Sequence, residues 1–151
     1  MKNKHLSFLV IILITLMSFS KSSTTYQTEC VRIQSDGHIV IKIWDTKAGN
    51  SYTLEQSKKD AVHALLFLGI SANNGCTTLE PLLKNSQDIA NFQKFEKEFF
   101  SKDGRWLLLT YRYAYKTSLP EGISEKNWKA YQVTISIKGL KHYLKEHKII
   151  K

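Results

Sequence analysis

The sequence predicts an α+β domain: a single antiparallel or mixed sheet of about four strands with helices packed on one face, in the chain order ββααββα. Three observations predict it. Runs rich in β-branched and aromatic residues come in pairs at both ends of the domain, CVRIQ (30–34) with HIVIKIW (38–44) and RWLLLTYRYAYK (105–116) with WKAYQVTISIK (128–138). Between the pairs lie two segments with helical signals, Thr53–Ile70 and the stretch after Asn85. Strands grouped apart from helices, rather than alternating with them, are the pattern of α+β packing.

The chain opens with Lys2 and Lys4 ahead of the apolar run Phe8–Met17 and the small residues Ser18 and Ser20. This is the form of a secretory signal peptide over residues 1–20, with the Ser22–Ser23 region as the alternative cleavage position and an uncleaved anchor as the rival reading. The run is shorter than the ~20 apolar residues of a membrane-spanning helix, so no transmembrane segment is expected after cleavage. Gln27, Thr28 and Glu29 ahead of Cys30 are not the apolar-then-small approach to a lipid-modified cysteine. Residues 21–29 are polar and aperiodic and are expected to be a flexible N-terminus, leaving 30–151 as one domain. The expected location is the periplasm, the cell surface or the exterior.

In the first strand pair, Ser35-Asp36-Gly37 supplies a hairpin turn. Ile39, Ile41 and Ile43 share the face expected to be buried, with His38, Val40, Lys42 and Trp44 on the other. Thr53 and Gln56 have the spacing of a capping box, so a helix begins there. Ala61–Ile70 is apolar apart from His63 and Gly69, which predicts a helix lying against the sheet at the centre of the domain. After Cys76, Glu80-Pro81-Leu82-Leu83 reads as an ordered connection whose leucines fill a gap in the core. Asn85 or Ser86 caps a second helix with Ile89, Phe92, Phe95 and Phe99 at steps of three and four residues. That aromatic stripe reads as packing rather than as a ligand box.

Lys102-Asp103-Gly104 stops this helix, and residues 105–116 are expected to form the longest strand, central at its start. A loop over 117–127 leads to a strand whose buried face is Tyr131, Val133, Ile135 and Ile137. Gly139 ends it. Leu140, Tyr143, Leu144 and His147 then mark a short terminal helix, and Lys148–Lys151 a frayed tail.

The chain has 22 lysines and arginines against 13 acids; the signal peptide holds Lys2 and Lys4 and no acid, so the formal charge without it is +7. Such a balance favours anionic partners. Its lysines are scattered rather than gathered with stacking aromatics, so nucleic acid is not expected as a partner. In an exported chain the two cysteines, Cys30 and Cys76, are read as a disulfide joining the start of the sheet to the exit of the central helix.

The run AVHALLFLGISANNGCTTLEPLL (61–83) resembles a family of short exported bacterial proteins of unknown function that share an A-V-H-A helix, an N-G-C turn and a P-L-L connection. More distantly, the strand-helix order and alanine-bearing helix are similar to the N-terminal domain of flagellar assembly protein T and related surface lipoproteins. The resemblance implies a periplasmic or surface-associated domain used for protein contacts, with no catalytic residues to carry over. The chain departs from the lipoproteins in lacking a lipidation site.

No metal-ligand spacing, cofactor-binding pattern or catalytic-triad order is present, and no cofactor is expected. Asp60 and His63, one helical turn apart, are the acid-base candidates; Cys76 with His63 would make the nucleophile pair of a small Cys/His hydrolase. The leading expectation is instead a non-catalytic domain acting through protein or cell-envelope contacts, its surface formed by Arg112, Tyr113, Tyr115, Pro120 and Trp128 and its partner acidic. Binding of an anionic envelope glycan or lipid is the further alternative.

Overall fold

A computed structural model of the chain describes residues 24–73, 76–110, 114–124 and 126–151. Strands β1 (Tyr26–Ile33), β2 (His38–Asp45), β3 (Ala114–Thr117) and β4 (Ala130–Ser136) form one antiparallel sheet in the order β1-β2-β4-β3. β1 and β2 are joined by the expected tight turn, in which Gly37 has φ 87° and donates to Gln34 at 3.1 Å. Pairing β2 with β4 sets Ile39 opposite Ile135 and Ile41 opposite Val133, all fully buried. The isoleucine face is therefore the floor of the core, as the alternation requires.

Helix α1 (Leu54–His63) starts at Thr53, whose side chain accepts from the Gln56 N–H at 3.1 Å. Only this half of the capping box forms; the Gln56 side chain turns to Asp60 at 2.7 Å. The helix runs into a wider π turn over Ala64–Leu68 that closes with Gly69 N–H donating to Ala64 at 2.8 Å. The extra residue in that turn keeps Ala64, Leu65 and Leu66 buried while Leu68 is turned outward, 52% exposed. Asn85 caps α2 (Ser86–Phe99), receiving the Asp88 N–H at 2.9 Å. Phe92 and Phe99, buried on one face of α2, meet edge to face at 5.3 Å. All helices contribute to the one core on the isoleucine side of the sheet.

Four expectations are corrected. The first half of the 105–116 run is not a strand: Trp106–Leu109 is a one-turn helix, α3, and β3 is confined to Ala114–Thr117 at the edge of the sheet. The chain order is therefore ββαααββα. Gly104 packs onto the end of α2, where a Cβ would collide with the Phe99 carbonyl, and Trp106 reaches back to donate from Nε1 to Ser101 at 2.7 Å. With that anchor, a turn buries Trp106 and Leu109 together and leaves Leu108 outside, 60% exposed; a strand would have put Trp106 and Leu108 on one face. Second, β1 begins at Tyr26, so part of the segment expected to be a flexible N-terminus is paired to β2, with Tyr26 opposite Asp45.

Third, the strand does not run on to Gly139. Ser136 receives the Gly139 N–H at 3.1 Å and caps α4 (Ile137–Glu146), placing this glycine in the first turn. Fourth, the tail is tied down: Lys148 takes a positive φ of 53°, Ile149 donates back to Leu144 at 2.8 Å, and the Ile149 side chain is 1% exposed. The second face of the sheet is not wholly wet either. Leu119, Ile123 and Trp128 fold from the loop between β3 and β4 onto Trp44 and Ala130, making a small second core there.

Candidate functional site

Cys30, on β1, and Cys76, after the connection that leaves α1, are joined as a disulfide with a Cα–Cα distance of 6.1 Å. Both are buried, and among the described residues there is no free cysteine. The thiol of the Cys76–His63 hydrolase reading is therefore consumed, because a sulfur in a disulfide has no thiolate to attack with.

His63 and Asp60 do come to one place, a polar cleft of about 320 Å³ lined also by Thr25, Tyr26, Asp45 and Gln56. They do not pair with each other. Tyr26 hydroxyl lies 2.6 Å from His63 Nδ1, while Asp60 accepts from Tyr52 hydroxyl at 2.8 Å and from Gln56 at 2.7 Å. Burial raises the Asp60 carboxyl and lowers the His63 imidazole relative to their ordinary values, each shift favouring the neutral form. Tyr26 is raised as well, by burial and then by the negative charge of Asp60. Asp45 is held down on balance: burial pushes it up, but Thr25 hydroxyl and the Lys47 and Ala48 N–H groups, at 2.6 to 2.7 Å, outweigh that. These hydrogen bonds fasten β1, the loop after β2 and α1 to one another.

Of the expected contact surface, Arg112 and Tyr113 lie outside the described residues. Tyr115 is 52% exposed on the face of the sheet opposite the helices, where its hydroxyl bonds the Gln132 side chain. It ends a row that crosses the sheet in register, Glu29, Lys42, Gln132, Tyr115, with Lys42 and Glu29 paired at 3.8 Å. Trp128 and Pro120 are half-buried, and Trp128 is turned inward against the second core. Tyr115 therefore remains the exposed aromatic of the described set; Lys116, next to it on β3, is exposed but alternates to the helical side, and Lys126 is exposed in the loop.

One feature on the helical side has no counterpart among the expected site residues. Between the 79–85 connection, the start of α2 and the outer side of α4 runs a groove of about 690 Å³. Leu79, Leu82, Ile137 and Ile150 are half-buried on its floor, and exposed Lys84, Lys141 and Lys145 stand on its rim. Leu83 is buried in the core as expected, and Leu82 packs against the core from its edge while also forming part of this floor. Lys141 and Lys145 at i, i+4 after Ile137 are the one signal in the sequence for such a strip. Tyr26, across 37 residues from His63, had none.

Among the described residues no group of three or more metal-binding side chains converges, and no helix is long and apolar enough to cross a membrane. Comparison with protein-family models, curated proteins and solved structures yields no match.

Proposed function

We propose that the protein is exported under the direction of residues 1–20 and is a non-catalytic domain that acts by contact with an acidic protein of the cell envelope. The observation that carries this reading is the face of the sheet away from the helices: the helices all pack on the isoleucine face, and beside the small second core the opposite face presents Tyr115 at the β3 edge. Lys116, the next residue on β3, alternates to the helical side with its pairing partner Tyr131, so the cation in Tyr115's own row is Lys42, held by Glu29 at 3.8 Å. An exposed aromatic supplies contact area at low entropy cost, and the chain's excess of lysines and arginines over acids steers an acidic partner. The disulfide supports an oxidising compartment. The resemblance to short exported proteins and, more distantly, to the N-terminal domain of flagellar assembly protein T points the same way.

The test is capture from an envelope extract by the full chain, comparing wild type with Tyr115→Ala. The expected result is a discrete partner held by the wild type, released by salt and missing from the variant. Identical proteins held by both would reject the open face as the contact surface. Amino-terminal sequencing of the exported protein tests cleavage after Ser20 in the same preparation.

A further inference from the structure

We propose that the groove between the 79–85 connection and α4 takes a single-chain anionic amphiphile: an acyl chain on the aliphatic floor with its acidic head among Lys84, Lys141 and Lys145. Charge is the first argument. None of these lysines, nor Lys151 at the end of the groove, has a carboxylate within 4 Å among the described residues. Of the two side-chain carboxylates on the rim, Asp88 is engaged by the Lys84 N–H at 3.2 Å and the Asn85 side chain at 3.0 Å, while Glu80 is exposed. The ammonium groups thus stand on both walls of the groove, with no ion-pair partner within 4 Å among the described residues.

The floor supplies the second argument. Leu79, Leu82, Ile137 and Ile150 are aliphatic and still half-exposed, so covering them removes apolar area from water. The backbone beneath them has few free donors for a peptide: Leu79 exchanges both its bonds with Ile70, at 2.8 and 2.9 Å, Leu82 N–H donates to Leu65 and Leu83 N–H to Leu66, each at 3.0 Å, and Pro81 has no N–H. An extended peptide laid here would find most of those donors taken, whereas a hydrocarbon chain has no backbone groups to satisfy. At about 690 Å³ the groove also falls in the range of small-molecule sites, apolar with a few placed polar groups. The site stands apart from the open face of the sheet and does not rest on that reading.

The test titrates the full exported chain with dansyl-undecanoate and follows the dansyl emission. Saturable binding is expected, with displacement by laurate and none by the neutral dodecanol at the same concentration. Lys141→Glu/Lys145→Glu should weaken binding at least tenfold, Lys141→Arg/Lys145→Arg should retain it, and Tyr115→Ala should leave it unchanged. The reversed lysines are exposed, so circular dichroism melts of these variants should match the wild type. No binding by the wild type would overturn the proposal. So would equal binding by the Glu variant, equal displacement by dodecanol, or displacement by an acidic leucine-glutamate peptide where laurate fails.

Discussion

The Tyr26 hydroxyl sits 2.6 Å from Nδ1 of His63 and fastens the first strand to the end of α1 across 37 residues of chain. Burial keeps Tyr26 protonated and favours neutral His63, so the two share one hydrogen bond between neutral groups. Removing the hydroxyl in Tyr26→Phe keeps the ring but strands the part-buried Nδ1, at an expected loss of about 1–3 kcal/mol in urea unfolding. A loss below a few tenths would show that the bond does not hold the strand.

The same pair sets a pH dependence. Burial holds His63 below its ordinary 6.5, with Glu96 opposing weakly. On lowering the pH through 6.5 the unfolded chain takes up a proton that the folded imidazole refuses, so the unfolded state binds more protons and stability falls. Above that value the contribution is complete. Asp60 has the opposite sign: its raised carboxyl contributes fully below the ordinary value of 3.8 and loses that contribution as the pH rises through its folded value. Melting temperatures across the acidic range should therefore fall less steeply for His63→Gln than for wild type. Parallel curves would mean that the imidazole is not the group responsible.

The disulfide spans a separation of 46 residues. Closing a loop of that size should stabilise the fold by about 4 kcal/mol through the unfolded chain's lost entropy. Cys30→Ser/Cys76→Ser should lower the urea midpoint accordingly, and a reductant should act on the wild type and not on the double variant.

Gly69 has φ 76° and ψ −177°, a region open essentially to glycine alone, and a Cβ there would strike the Leu79 carbonyl and press on Pro81. Gly69→Ala is expected to cost about 1–3 kcal/mol from the backbone conformation before the collision is counted. Chemical denaturation measures it, and a neutral result would mean that the connection after α1 can shift.

Leu108 and Trp106 separate the turn from the strand expected in its place. Trp106→Ala should cost about 3–5 kcal/mol, whereas Leu108→Glu, at a site 60% exposed, should stay within about 0.5 kcal/mol. Comparable losses at both positions would restore the strand.

Alternation and cap chemistry were legible in the chain itself. Ile39, Ile41 and Ile43 declare one buried face, Thr53 and Asn85 declare helix starts, and two cysteines on either side of the central helix declare a bridge; each signal is local or depends on composition. The one-turn helix at Trp106–Leu109 was not legible, because four apolar residues in a row fit either period and only docking against Phe99 and Ser101 selects the turn. Likewise, His63 could be read as polar in an apolar helix, but its partner lies on a strand in a segment that looks disordered by composition.

By itself, then, the order of residues determined the α+β class, the hairpin, the two main helices and the pairing of the sulfurs. Tertiary structure alone decided that β2 lies against β4, that Tyr26 rather than Asp60 holds His63, and that scattered lysines gather around an aliphatic groove. Patterning along a chain records which side of each element is buried, whereas contacts between distant elements are selected by how those sides pack in three dimensions.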